Sequence, residues 1–182
     1  MKAKDRKIAM TDLETSGDIP GEHEILEIGL VIFDPQTFKI TDKWESKVKP
    51  EHIETAVKAA LDYNGYNEKD WEGAISIKEA MQIYGEKTQN CIFCSYNVSF
   101  DWSFVNDACF RTGTLNSMST FENHDRLDLL SIAWDRGLKN ESSFSLKTAC
   151  KLFGIPPEPE PHSGLNGALT AYELFKKLQQ VK

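Results

Sequence analysis

In TDLETSG (11–17), Asp12 and Glu14 stand on either side of one leucine. The run KIAMTDLE (7–14) reads as a strand, and on a strand residues i and i+2 share a face. The two carboxylates therefore project side by side. Without a cation they repel, and one tends to take up a proton. A bound divalent metal removes that conflict, because hard cations such as Mg²⁺ prefer carboxylate oxygens. The plainer alternative is a strand end in solvent, and the pair alone leaves both open.

A second group lies in YNVSFDWSFV (96–105). A strand ends near Tyr96–Asn97 and a helix begins within a few residues. Asp101 falls in or near its first turn, where the helix dipole favours a carboxylate. By themselves, Asp101 reads equally as charge complementation, Asn97 as a turn residue and Phe100 as a core residue. The third feature is His162, which follows Pro156, Pro157, Pro159 and Pro161 and precedes a helix. A lone histidine is commonly a surface or structural residue. A stiffened approach to a helix start also suits a general base that titrates near neutrality.

D-x-E on a first strand, N-x-x-F-D at a strand–helix junction and a late histidine at a helix start occur here in that order. Together they resemble the DEDDh branch of the DnaQ-like 3′–5′ exonucleases, from about Lys7 to Leu178. AALDYNGY (59–66) and SLKTACKLFGI (145–155) are similar to the family segments before the second and last motifs. The resemblance implies a ribonuclease H-like fold and phosphodiester hydrolysis with two divalent cations, Mg²⁺ or Mn²⁺. It implies Asp12, Glu14 and Asp101 as metal-site acids, with Asp12 bridging both ions and Asp101 acting on the leaving-group side. His162 would take the proton from the attacking water. Leu13 and Thr15 would contact the terminal nucleotide, with Ser16, Asn97 and Phe100 as further substrate-side positions. Family members commonly have threonine where Ser16 stands, a change that keeps the hydroxyl. The implied substrates are single-stranded or frayed 3′ ends of DNA or RNA, with a nucleoside monophosphate as product and a DNA polymerase as a potential partner.

The chain departs from the family at one position. The pattern H-x4-D-A places a fourth acid five residues after the histidine, and Gly167 stands there, followed by Ala168. Asn166 is one residue off, about 100° round a helix. No Asp or Glu occurs between His162 and Glu173. A natural or introduced substitution that removes the acid is one reading. Retained activity, with water, Asn166 or substrate phosphate in the vacant place, is a second. A non-catalytic nucleic-acid-binding or scaffold module is the third. Helix propensity does not explain the residue, since glycine costs about 1 kcal/mol relative to alanine.

The elements around these residues follow from periodicity. Strands are expected at 7–14, 23–34 and 38–50, joined by short links as an antiparallel meander. Helical patterns cover HIETAVKAALDYNGY (52–66) and SIKEAMQIYGEKTQ (76–89). A short strand at 91–97 leads into a helix over 99–113. A loop and a short extended stretch follow, then helices at 128–137, 145–154 and 164–180. The expected class is α/β: a mixed sheet, with a three-strand antiparallel meander and added parallel strands, flanked by helices. No repeat or linker divides the 182 residues, and a single exonuclease-like domain is expected.

Composition narrows the function. The net charge is −7, which excludes a basic footprint for tight non-specific duplex binding. It leaves room for a nuclease, because bound metal ions supply local positive charge. No apolar run approaches the roughly 18 residues of a membrane span, and the start carries no signal-peptide pattern. Cys91 and Cys94 form one C-x-x-C, but no second pair has zinc-ligand spacing, so all four cysteines are expected in the core of a reduced, cytoplasmic protein.

Overall fold

The computed structural model describes residues 2–115, 125–160 and 162–180. Strand β1 (Ile8–Thr15) is followed by β2 (Ile25–Phe33) and β3 (Ile40–Lys47). After a short 3-10 turn come α1 (Lys58–Asn64) and α2 (Ile77–Lys87), then β4 (Ile92–Ser95) and α3 (Val98–Thr112). Strand β5 (Arg126–Asp128), α4 (Leu129–Asp135), α5 (Leu146–Phe153) and α6 (Gly164–Leu178) complete the described chain. The sheet order is β3-β2-β1-β4-β5. β1, β2 and β3 pair antiparallel, whereas β4 lies parallel to β1 and β5 parallel to β4. The expected meander with added parallel strands is what forms.

Side-chain alternation on β1 sends its residues to two cores. Ala9 and Leu13 join Ile28, Leu30, Ile32 and Phe93 beneath α2 and α3. Ile8 and Met10 join Val31, Phe33 and Cys94 beneath α4, α5 and α6. β2 is buried along its whole length because helices cover both its faces, whereas edge strand β3 alternates between half-buried and exposed positions. The same alternation puts Asp12 and Glu14 on the α6 side, at the end of the strand where the apolar set runs out.

One expectation needs correcting. Residues 52–66 do not form one long helix: a 3-10 turn at Ile53–Thr55 is separated from α1, which has seven residues. Ala56 and Val57 are extended between them, and Gly65 ends α1 in a left-handed conformation with φ 64°. The four cysteines are buried and unbridged. Pro161 and most of the stretch between Leu115 and Arg126 lie outside the described residues. Among the described residues no helix is long and apolar enough to cross a membrane.

Candidate functional site

The end of β1 carries two acids, and α3 brings the third. β4 stops at Ser95, and Asn97 turns the chain with a left-handed backbone, φ 64°. Asparagine tolerates this conformation better than most residues. The Val98 N–H then donates to Asp128 Oδ1 at 3.0 Å, which anchors the start of α3 to the end of β5. One turn on, Asp101 is 3% exposed, and its Oδ1 accepts the Leu13 N–H at 3.1 Å. The third acid is thereby fastened to the backbone between the first two.

The three carboxylates strain one another electrostatically. Burial, then Asp101 and Glu14, hold the Asp12 carboxyl well above the usual range. Burial, with Glu158 and Glu27 nearby, pushes Glu14 up to about 8. Burial also raises Asp101 to about 7, against the hydrogen bond from Leu13. Among the described residues no lysine or arginine forms an ion pair with any of the three. Desolvated like charges without a counter-charge favour protonation or a bound cation.

The start of α6 closes the site from the other side. Its first N–H groups have no partners within the helix. Gly164 N–H donates to Glu27 Oε1 at 2.7 Å, Leu165 N–H to Glu45 Oε1 at 3.2 Å, and Asn166 N–H to the Ser163 hydroxyl at 3.3 Å. Acids on β2 and β3 thus dock the helix while complementing its dipole. The docking is close: a Cβ on Gly29 would sit 1.8 Å from the Gly164 carbonyl carbon. Gly29 pairs with Asp12 across the sheet, so the contact sets α6 directly over the first acid. A Cβ on Gly167 would lie 2.1 Å from Asp12 Oδ2. The position where the sequence lacks an acid therefore faces the carboxylate cluster.

Beside the acids, a cavity of about 450 Å³ is lined by Leu13, Glu14, Thr15, Tyr63, Asn64 and Phe100, among others. Three of the expected nucleotide contacts share it. Thr15 holds the following turn by donating its hydroxyl to Gly17 O at 2.8 Å, and Asn64 Nδ2 donates to Thr15 O at 2.9 Å. Ser16 is placed differently: it is fully buried, and its hydroxyl accepts the Glu24 N–H at 2.8 Å. That bond ties the loop after β1 to β2, so Ser16 acts on the loop rather than lining the cavity. Asn97 is exposed at the α3 start, where its side chain accepts the Ser99 hydroxyl at 2.9 Å. His162 does not line this cavity; it borders an adjacent one that shares Tyr63 with it. Tyr63 stacks on its ring at 4.4 Å between centroids, and Glu158 Oε2 lies 3.1 Å from its Nδ1.

The exonuclease family RNase_T matches residues 10–175. The chain belongs to this family. The matched span holds every residue of the site, and the likeness to DnaQ-like 3′–5′ exonucleases stands. The 3′-5′ DNA exonuclease Cap18 of Escherichia coli is 28% identical over 103 residues, 52% of this chain and 52% of that one. A PolC-type DNA polymerase III of Thermotoga petrophila is 25% identical over 170 residues, 93% of this chain but 12% of the polymerase. The chain thus spans about half or less of these curated relatives. Among solved structures, E. coli exonuclease I in complex with a dT13 oligonucleotide superposes with a TM-score of 0.80 at 17% identity, over 96% of this chain and 41% of that one. That likeness shows the fold.

The candidate site also contains residues that sequence reasoning passed over: Glu27, Glu45, Glu158 and Tyr63. Glu27 had a local signal, a lone acid inside the apolar run ILEIGLVIF, where burial pushes it up to about 7. Glu158 had none, since an acid in a proline-rich connector is ordinary surface. As a donor set, Asp12, Glu14 and Asp101 are all carboxylate oxygens without a competing cation, which suits a hard divalent ion. Among the described residues no three such groups already converge at ligand distances. Holding an ion would require the carboxylates to draw closer together than they stand.

Proposed function

We propose that this exonuclease domain removes nucleotides from single-stranded or frayed 3′ ends of DNA or RNA, releasing nucleoside monophosphates, and that Gly167 slows it. One observation carries the reading. Position 167 of α6 lies directly against the Asp12 carboxylate, the movable end of a side chain that would turn aside to admit a Cβ there. That contact supports a carboxylate site with one corner empty of charge.

Asp12, Glu14 and Asp101 would hold the divalent ions, Mg²⁺ or Mn²⁺. When bound, such ions lower the pKa of water and stabilise the leaving 3′ oxygen. The chain's own residues do the rest. Leu13, Thr15 and Phe100 line the cavity beside Glu14, which receives the terminal nucleotide through contacts that need little sequence readout. His162 takes the proton from the attacking water. Two bound Mg²⁺ ions bring four positive charges against three carboxylates. Loss of the fourth acid therefore weakens ion binding and turnover more than it weakens substrate binding.

The 3′-5′ exonuclease named among the relatives supports this direction of attack, and the oligonucleotide on exonuclease I supports a single-stranded substrate. The PolC relative supports a polymerase-associated setting. A second reading, a module that holds 3′ ends without cutting, is favoured by Gly167 alone. The test is 3′ shortening of 5′-labelled single-stranded DNA and RNA with Mg²⁺ or Mn²⁺, comparing the chain with Gly167→Asp. Weak stepwise shortening that the substitution strengthens supports the proposal. Binding of both oligonucleotides with no shortening by either form overturns it in favour of the second reading.

A further inference from the structure

We propose that Glu158 is a positioning residue for His162, its carboxylate holding Nδ1 so that the ring offers an unprotonated Nε2. This deepens the proposed role of His162 as base and rests on it. Nδ1 is a buried atom, and among the described residues no group makes an aligned hydrogen bond to it. A buried polar atom of this kind costs free energy unless it finds a partner. Glu158 Oε2 is in reach at 3.1 Å.

The carboxylate is itself held in place. Glu158 Oε1 accepts the Ser163 N–H at 3.4 Å, so its two oxygens bracket the residues at the start of α6. Its side chain is only 16% exposed. Pro157 and Pro159 flank it and restrict the backbone on both sides. Tyr63 covers one face of the imidazole, with ring planes 17° apart. One neighbour thus sets the ring plane and the other sets which nitrogen carries the proton. A general base needs that tautomer settled, since only the nitrogen without hydrogen accepts a proton. In a site that lacks one acid, a pre-oriented base also offsets part of the lost water positioning.

The experiment is long-range ¹H–¹⁵N correlation spectroscopy of the full chain, at a pH where His162 is neutral, for wild type, Glu158→Gln and Glu158→Ala. The expected result is a predominantly Nδ1–H tautomer in wild type. Glu158→Gln, whose amide oxygen still accepts, retains part of it, and Glu158→Ala loses it. A predominantly Nε2–H ring in wild type, or a tautomer unchanged by Glu158→Ala, overturns the proposal. This readout needs no turnover, so it stands or falls apart from the exonuclease reading. In the shortening assay, done in the Gly167→Asp background, Glu158→Ala is expected to lower kcat about 10-fold with KM unchanged. A fall in kcat/KM through KM alone would assign Glu158 to substrate binding instead.

Discussion

Helices α3 and α6 approach the same strand end, and each presents its fourth residue to the acids of β1. On α3 that residue is Asp101, whose carboxylate accepts the Leu13 N–H. On α6 it is Gly167, which abuts the Asp12 carboxylate without offering a ligand. Their entries differ as well. α3 starts from a left-handed Asn97 with no side-chain cap of its own, whereas α6 is capped by Ser163 and docked by Glu27 and Glu45. The better-anchored helix is the one without the acid. The docking of α6 therefore does not depend on a ligand at 167, because it rests on backbone approach at Gly29 and Gly164 and on two acids, Glu27 and Glu45, outside the cluster of Asp12, Glu14 and Asp101. A fold can hold a helix against a carboxylate cluster without any ligand at the point of contact.

The comparison breaks most sharply at Asp101. Asp101→Asn keeps the Leu13 hydrogen bond but removes the charge, and should lower the 3′-shortening rate on the order of 10²–10³-fold. An unchanged rate would mean that α3, like α6, contributes only structure. Gly29→Ala tests the docking of α6. Its Cβ meets backbone rather than a movable side chain, so a loss of about 1–3 kcal/mol in denaturant unfolding is expected. A neutral result would show that α6 can ride further from β2.

Gly167→Ala separates space from charge. Alanine favours a helix by about 1 kcal/mol over glycine, yet its Cβ would meet Asp12 Oδ2 at 2.1 Å. Stability should change little as Asp12 turns aside, while Mn²⁺ affinity by titration should weaken several-fold. Unchanged metal binding in the alanine variant would show that the pose of Asp12 over Gly167 does not matter.

A further effect is in the metal-free protein. The acids of β1 and α3 have folded-state pKa values raised by burial, Glu14 from 4.5 to about 8 and Asp101 from 3.8 to about 7. The folded chain holds protons there that the unfolded chain has released. Its stability is therefore greatest below about pH 4 with respect to these groups, and is lost as pH rises toward 8. Melting temperature without metal should fall between pH 5 and pH 8, and Mg²⁺ or Mn²⁺ should recover more of it at pH 8. A flat profile would mean that the carboxylates are better solvated than their burial indicates.

Much of the site was legible in the order of residues. Asp12 and Glu14 share a face because strand periodicity is local, and Asp101 falls in the first turn of α3 because a strand end and a helix start meet at Asn97. Ser163 caps α6 by the same short-range rule. The family motifs added the expectation of a fourth acid, and so made Gly167 conspicuous. What the residues did not reveal is how Gly29 and Gly164, 135 positions apart in a chain of 182, let a helix lie on a strand. Nor did they reveal that the hydroxyl of Ser16 serves the Glu24 backbone, or that Glu27, Glu45 and Glu158 gather round the start of α6. Facing and capping are decided within a turn or two of chain, so sequence spacing determined them. Convergence is decided by the β1–β2 register and by the docking of α6 on that pair, and only the tertiary structure brings those distant segments together.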